Sequence, residues 1–144
     1  MRVVFTKSLD LPAKSNLWDC NEAQTLVIYD SSTANESYLS RIPKSVEVEK
    51  VSSDNPVLIS KILAKRGCNK VLWECGPRLA TAAIQSNCIQ ELITFISPKI
   101  LGGENSMNPL SDFEFREMHE IIKLRDSQVS LIGNNICVKS SLKN

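Results

Sequence analysis

The apolar residues of this chain gather in short runs, which are separated by polar stretches containing glycine and proline. Most of these runs are rich in β-branched and aromatic residues, which is typical of buried strands. The run at residues 45–51 instead alternates apolar with charged positions, so we expect a strand with one face in water. The pattern predicts strands at residues 2–5, 25–29, 45–51, 70–74, 89–97, 129–132 and 136–140.

Two further stretches carry the signals of helices. Residues 53–56 place a capping side chain, Asp54 or Asn55, before a proline, and apolar residues then recur at helical spacing. A second helix is expected from Pro77 to about residue 86, because proline suits the first turn of a helix.

Strands that alternate with helices predict an α/β fold, in which a mainly parallel sheet has helices on both faces. The last two strands flank Gly133 and Asn134, which predicts a closing antiparallel hairpin. Residues 113–122 fit either a short helix or irregular structure. At 144 residues, the whole chain is expected to form a single domain, 1–144.

Composition narrows the classes of function. Hydrophobic residues make up 42% of the chain, as in globular proteins, and the net charge of +1 gives no electrostatic case for binding nucleic acid or a membrane surface. No apolar run approaches the roughly 18 residues of a membrane-spanning helix. The start of the chain becomes polar too early for a signal peptide, so a cytoplasmic location is expected.

The five cysteines do not form a metal-binding pattern. No two of them are spaced as Cys-x-x-Cys, and the single histidine, His119, is close in sequence only to Cys137, so no metal site is expected. A surface role is favoured for His119. A thiol near the start of a helix can have a lowered pKa, which singles out Cys75, although a structural role is favoured for this cysteine too.

The stretch around Glu74 has the most distinctive chemistry. A predicted strand ends at Glu74, a Cys-Gly-Pro turn follows, and a helix begins, which places the turn at the carboxyl edge where α/β sheets bind ligands. Gly76 permits close approach to the backbone, and the free N–H groups of the first helical turn suit a phosphate. The same pattern also fits an ordinary strand-to-helix turn without a ligand, so both interpretations stay open.

Two central motifs, in this order and at this spacing, resemble those of a known family. Residues 74–80 read Glu-Cys-Gly-Pro-Arg-Leu-Ala and resemble the Glu-Gly-Gly-Pro-x-Leu-Ala pattern of the riboflavin-biosynthesis reductases, the carboxyl-terminal half of the bacterial bifunctional deaminase/reductase. Residues 91–103 are similar to the family segment that ends in Pro-Lys-Leu-Leu-Gly-Gly. Residues 2–12 and 133–136 resemble its Arg-Val-Val strand and its closing hairpin, so the resemblance covers nearly the whole chain.

The resemblance implies a dihydrofolate-reductase-like fold and NADPH-dependent reduction of the ribosyl group of 5-amino-6-(5-phosphoribosylamino)uracil to a ribityl chain. It also implies a deaminase half, fused or separate. Glu74 matches the carboxylate that contacts the substrate, and Lys7 lies where the family has a cofactor-contacting Ser. The resemblance identifies no catalytic residue in this stretch. The residues that match the NADPH-binding turn and helix start are Gly76, Pro77, Arg78, Leu79, Ala80, Thr81 and Ala82.

The chain also departs from the family pattern. Thr6 replaces an Asp, Lys7 replaces a Ser, and Cys75 replaces the first Gly of the Gly-Gly pair. A side chain at residue 75 would crowd the cofactor's pyrophosphate if that position required a positive φ. Residue 1 aligns with the third strand of the family's domain, so we expect a domain that is incomplete at its amino terminus. The zinc deaminase signature is absent from the chain.

Two alternatives stay open beside the reductase. One is a non-catalytic assembly or scaffold module, in which the changes at Thr6, Lys7 and Cys75 mark lost cofactor binding. The other is a pterin reductase, because a shared fold does not fix the substrate. Strands without their neighbours would expose apolar faces, and the resemblance implies contact through the terminal strands. We therefore expect a homo-oligomer with the closing hairpin at or near an interface.

Overall fold

The computed structural model describes residues 1–103, 108–111 and 113–142. These residues divide into two compact units, Met1–Arg66 and Gly67–Asn144, each described here by itself. Short 3₁₀ turns occur at Asn16–Trp18 and Glu36–Arg41. The strands and helices are β1 (Arg2–Thr6), β2 (Thr25–Asp30), β3 (Glu47–Val51), α1 (Pro56–Lys65), α2 (Pro77–Gln85), β4 (Glu91–Ile96), β5 (Leu124–Ile132) and β6 (Asn135–Leu142).

The first unit is built on a parallel sheet with the strand order β1-β2-β3. All residues of the central strand β2 are buried, which explains why its sequence is a continuous apolar run rather than an alternating one. On one face of β2, Val27 and Tyr29 join Leu9 and Val46 in a buried cluster, and Trp18 is among the partly buried residues that pack against it. A central strand buried on both faces forms the core of this unit.

Helix α1 follows the parallel sheet and has the ends that its sequence predicts. The Asn55 side chain accepts a hydrogen bond from the N–H of Val57 at 2.9 Å, and Pro56 occupies the first turn. Ile59 and Leu63 form its buried stripe. The Arg66 guanidinium at its carboxyl end pairs with carboxylates of β3, which ties the helix to the sheet.

The second unit contains α2 and an antiparallel sheet with the strand order β4-β6-β5. Strands β5 and β6 form the hairpin, and Gly133 has the positive φ of 60° that its turn requires. Many apolar side chains of this sheet are exposed, among them Phe95 at 61% and Leu131 at 75%. This sheet therefore differs sharply from the parallel one in how much of its apolar surface is covered.

The α/β class, the parallel pairing of the first strands and the closing hairpin are confirmed. The strand predicted at residues 70–74 is wrong, because those residues join neither sheet in the described structure. A strand needs a hydrogen-bonded neighbour as well as apolar residues. Without such a neighbour the apolar run is not covered, and Leu72 is 74% exposed. Residues 113–122, for which the sequence allowed a short helix or irregular structure, are irregular with one turn at residues 117–120. The single domain, 1–144, stays a prediction.

Candidate functional site: the first turn of helix α2

Helix α2 begins with an uncapped first turn. Gly76 is the residue before the helix, with φ −69° and ψ 168°, and no side chain caps the N–H groups that follow it. Pro77 has no N–H, and the first hydrogen bond of the turn runs from the N–H of Ala80 to the carbonyl of Gly76 at 3.0 Å. The N–H groups of Arg78 and Leu79 therefore lack the side-chain acceptor that often satisfies such groups. This arrangement suits an anionic ligand.

The side chains around this turn combine charge with apolar surface. Glu74 and Arg78 are exposed on either side of the Cys-Gly-Pro turn. Within the part of the chain that the structure describes, neither side chain makes an ion pair or a hydrogen bond. Pro77, Leu79, Ala80 and Ala82 are each partly exposed. The turn thus offers one carboxylate, one guanidinium and open backbone donors.

Thr81 lies at the inner side of the helix. Its side chain is buried, and its hydroxyl exchanges two hydrogen bonds with the backbone of Ser111, one from the N–H at 2.9 Å and one to the carbonyl at 3.3 Å. The hydroxyl is therefore already used within the protein. A direct contact of Thr81 with the cofactor stays a prediction, and it would have to come from its backbone or methyl group.

The thiol of Cys75 is partly buried, and burial raises its pKa. A raised pKa keeps the sulfur protonated at neutral pH, which is the opposite of the activation that a helix start can cause. The non-glycine residues with positive φ in the described structure do not include Cys75, and Gly76 also has a negative φ. The Cys-Gly pair therefore needs no left-handed backbone, so a side chain at position 75 causes no backbone strain.

Lys7 belongs to the first unit, where it directly follows β1. Its ammonium lies 2.6 Å from Oδ2 of Asp54, and both side chains are about half exposed. The turn that carries Lys7 is fixed by the Thr6 hydroxyl, which accepts from the N–H of Leu9 at 3.1 Å, and by the Thr33 hydroxyl, which donates to the Lys7 carbonyl at 2.9 Å. Leu9 is buried with φ 61°. The structure thus presents Lys7 on a well-anchored turn.

The single histidine of the chain, His119, belongs to the second unit. His119 is exposed, and its Nδ1 is 3.1 Å from a carboxylate oxygen of Glu117. A cavity of about 450 Å³ in the second unit has His119, Lys123 and Arg125 in its wall, and none of the residues predicted for cofactor or substrate line it. In the described ranges, no group of three or more His, Cys, Asp or Glu side chains is arranged to hold a metal ion. The described helices include none that is long and apolar enough to cross a membrane.

Two contacts made by the candidate site residues Lys7 and Thr81 could not be predicted from the sequence. The sequence left the cap of α1 open between Asp54 and Asn55; Asn55 provides it, and Asp54 instead pairs with Lys7 across 47 positions of sequence. Thr81 and Ser111 are 30 positions apart. The one available signal for the second contact is a threonine on the inner face of an apolar helix, because such a hydroxyl needs a partner.

The chain matches the RibD C-terminal domain family over residues 1–138, and it belongs to that family. It is 37% identical to the riboflavin biosynthesis protein RibD of Synechocystis over 134 residues, which are 92% of this chain and 36% of that protein. It is 35% identical over 142 residues to the chloroplastic riboflavin biosynthesis protein PYRR of Arabidopsis thaliana, which covers 99% of this chain and 24% of that protein.

A solved structure supports the fold. The pyrimidine reductase-like protein of Corynebacterium diphtheriae superposes with a TM-score of 0.77 at 23% identity, over 99% of this chain and 60% of that one. At this identity the match concerns the fold alone. The chain spans about a quarter to about a third of the length of the curated relatives named above.

Proposed function

We propose that this chain is the cofactor-binding portion of an NADPH-dependent reductase that acts on 5-amino-6-(5-phosphoribosylamino)uracil in riboflavin biosynthesis. The proposal rests on membership of the RibD C-terminal domain family and on the matching motif at residues 74–80. The observation that carries it is the uncapped first turn of α2, where backbone N–H groups without a capping side chain follow Gly76 and where the exposed Arg78 belongs to the same turn.

The residues of this turn fit a dinucleotide. The first-turn N–H groups and Arg78 would hold the pyrophosphate, and Gly76 leaves open space, since a Cβ added there would meet nothing within 4 Å. The bound cofactor supplies the hydride, so the protein needs no nucleophile of its own. Glu74 would hold the substrate by accepting hydrogen bonds from its hydroxyl or amino groups. Lys7, of the first unit, is proposed as a further cofactor contact.

A second candidate function is a non-catalytic assembly or scaffold module. Two observations favour it: Cys75 stands in place of a family glycine, and the Lys7 ammonium is already paired with Asp54. If cofactor binding has been lost at several positions, restoring one glycine by Cys75→Gly will raise neither NADPH affinity nor the rate of reduction. A clear gain of rate in Cys75→Gly would count against this module.

The proposed partners follow from the resemblance to the reductase family. They are a small-molecule substrate, a second copy of this chain, and a deaminase half that is fused or separate. A cytoplasmic location stays a prediction, and the relative from Arabidopsis thaliana carries the description chloroplastic.

A calorimetric titration with NADPH tests the proposed cofactor site. The Arg78→Ala variant is expected to bind about tenfold more weakly, because one charge-assisted hydrogen bond to a phosphate is lost. Arg116→Ala is the matched control, since Arg116 is also an exposed arginine of the second unit. A wild-type protein that gives no binding signal with NADPH would contradict the proposal, and so would equal affinities for the wild type and Arg78→Ala.

A further inference from the structure

The contact between Thr81 and Ser111 joins helix α2 to a segment that is distant in sequence. Thr81 is 4% exposed, and its hydroxyl serves as both acceptor and donor toward the backbone of one residue, Ser111. A threonine inside a helix commonly bonds back to a carbonyl of its own helix. Here both hydrogen bonds instead leave the helix, so the hydroxyl holds the backbone of Ser111, the last residue of the segment 108–111, against α2.

The position of Thr81 on the helix decides what this segment lies next to. Residues three and four apart share one face of an α-helix, so Thr81 is on the same face as Pro77 and Arg78. The rise of about 1.5 Å per residue puts Thr81 only ~6 Å along the axis from Pro77. The backbone of Ser111, held at Thr81, is therefore about one helical turn from the uncapped first turn.

We propose that Thr81 is a positioning residue, which holds residues 108–111 against α2 so that they form one wall of the cofactor site. This inference rests on the proposed function, because it assumes that the first turn of α2 binds NADPH. In the held segment, Pro109 is exposed and Leu110 is partly buried, so the wall offers apolar surface beside the phosphate-binding donors. Such a wall suits the flat ring or ribose of a dinucleotide rather than its phosphates.

The test compares NADPH affinity in variants of this hydroxyl. Thr81→Val keeps the shape of the side chain but removes both hydrogen bonds, and we expect NADPH to bind about tenfold more weakly. Thr81→Ser keeps the hydroxyl and should bind within about twofold of the wild type. Ser140→Ala is the matched control, because the Ser140 hydroxyl is also buried in the second unit and bonds to the Ser127 hydroxyl at 2.8 Å.

Melting curves accompany each titration, which is run well below the lowest melting temperature. Ser140→Ala is expected to melt earlier than the wild type with unchanged NADPH affinity, whereas Thr81→Val loses affinity. If Thr81→Val does not fold, Ser111→Pro removes the N–H that donates to Thr81 and provides the same test from the other side of the contact.

The results separate this inference from the proposed function. NADPH binding by the wild type with unchanged affinity in Thr81→Val, or in Ser111→Pro, overturns the role of Thr81 and leaves the proposed function standing. Equal losses of affinity in Thr81→Val and Ser140→Ala also overturn it, because they indicate general destabilisation. A wild-type protein that binds no NADPH overturns the proposed function, and with it the role of Thr81.

Discussion

Strands β2 and β5 both carry several aliphatic residues, but their burial is opposite. Every residue of β2 is buried, whereas every residue of β5 is exposed. Strand β2 lies between two parallel neighbours, while β5 is an edge strand with one neighbour. Apolar sequence therefore does not by itself predict burial, because a strand also needs elements on its faces and edges.

Several apolar residues of the second unit, most of them exposed, share one side of its sheet. In the antiparallel ladder, directly opposite residues point to the same side, and Leu131 pairs with Ile136 as Val129 pairs with Val138. Ile96 of β4 pairs with Ile136 from the other edge and extends this side. We call these five residues the hairpin face. An apolar face of this kind is typical of an interaction surface, which supports the predicted homo-oligomer.

The largest effect is expected in the core of the first unit. Ile28→Ala removes a side chain that is fully buried, and we expect it to lower the free energy of unfolding by about 2–5 kcal/mol at any protein concentration. Leu131→Ala on the hairpin face should cost less than about 0.5 kcal/mol in dilute protein. If the hairpin face is an interface, the cost of Leu131→Ala will increase with concentration. Urea unfolding at several protein concentrations measures both changes.

A second prediction concerns the hairpin face directly. Sedimentation equilibrium at micromolar concentration should show a dimer or larger assembly, whose interface buries roughly 1,200 Å² or more in total. Leu131→Asp should dissociate it, because a carboxylate would be buried without a partner. Met118→Asp is the control, since Met118 is also exposed but lies outside the hairpin face. A wild type that sediments as a folded monomer would contradict the prediction.

A smaller effect is expected from a polar contact at the edge of the first unit. The Glu36 carboxylate accepts from the Lys50 ammonium at 2.8 Å and from the Tyr29 hydroxyl at 3.1 Å. These two hydrogen bonds lower the pKa of Glu36, and the one from Lys50 has the larger effect. Burial is the main cause that raises the pKa of Tyr29, and the hydrogen bond to Glu36 raises it further. The phenol therefore stays protonated and donates its hydrogen bond to Glu36. The contact thus depends on an ionised Glu36.

Because the folded pKa of Glu36 is below its ordinary value, its contribution is complete at neutral pH and disappears as the pH falls through the folded pKa. Melting temperatures of the wild type and Glu36→Gln should differ slightly at neutral pH and converge in acid. A difference that persists unchanged in acid would show that the ionised carboxylate is not what stabilises this contact.

The sequence predicts the elements of both units where local signals are strong. The continuous apolar run of β2 and the cap and periodicity of α1 identify these elements, and the turn at Gly133 identifies the hairpin. The prediction of a strand at residues 70–74 is wrong, because a run of apolar residues does not show whether a neighbouring strand is present to pair with it.

The candidate site is predictable only in part for the same reason. The turn at Gly76 is a local feature, and its motif is visible in the sequence. The pairing of Lys7 with Asp54 and of Thr81 with Ser111 depends on how distant segments meet, which no local pattern encodes. The sequence around a threonine or a lysine is the same whether or not such a distant partner exists.

The most direct test of the proposed function is a reductase assay on the protein that carries this chain. We predict that NADPH is consumed only when 5-amino-6-(5-phosphoribosylamino)uracil is added, with one hydride and one proton gained per substrate molecule by mass spectrometry. Glu74→Gln should slow this consumption without abolishing NADPH binding. No consumption of NADPH in the presence of this substrate would contradict the reductase, and a protein that also fails to bind NADPH would favour the assembly module.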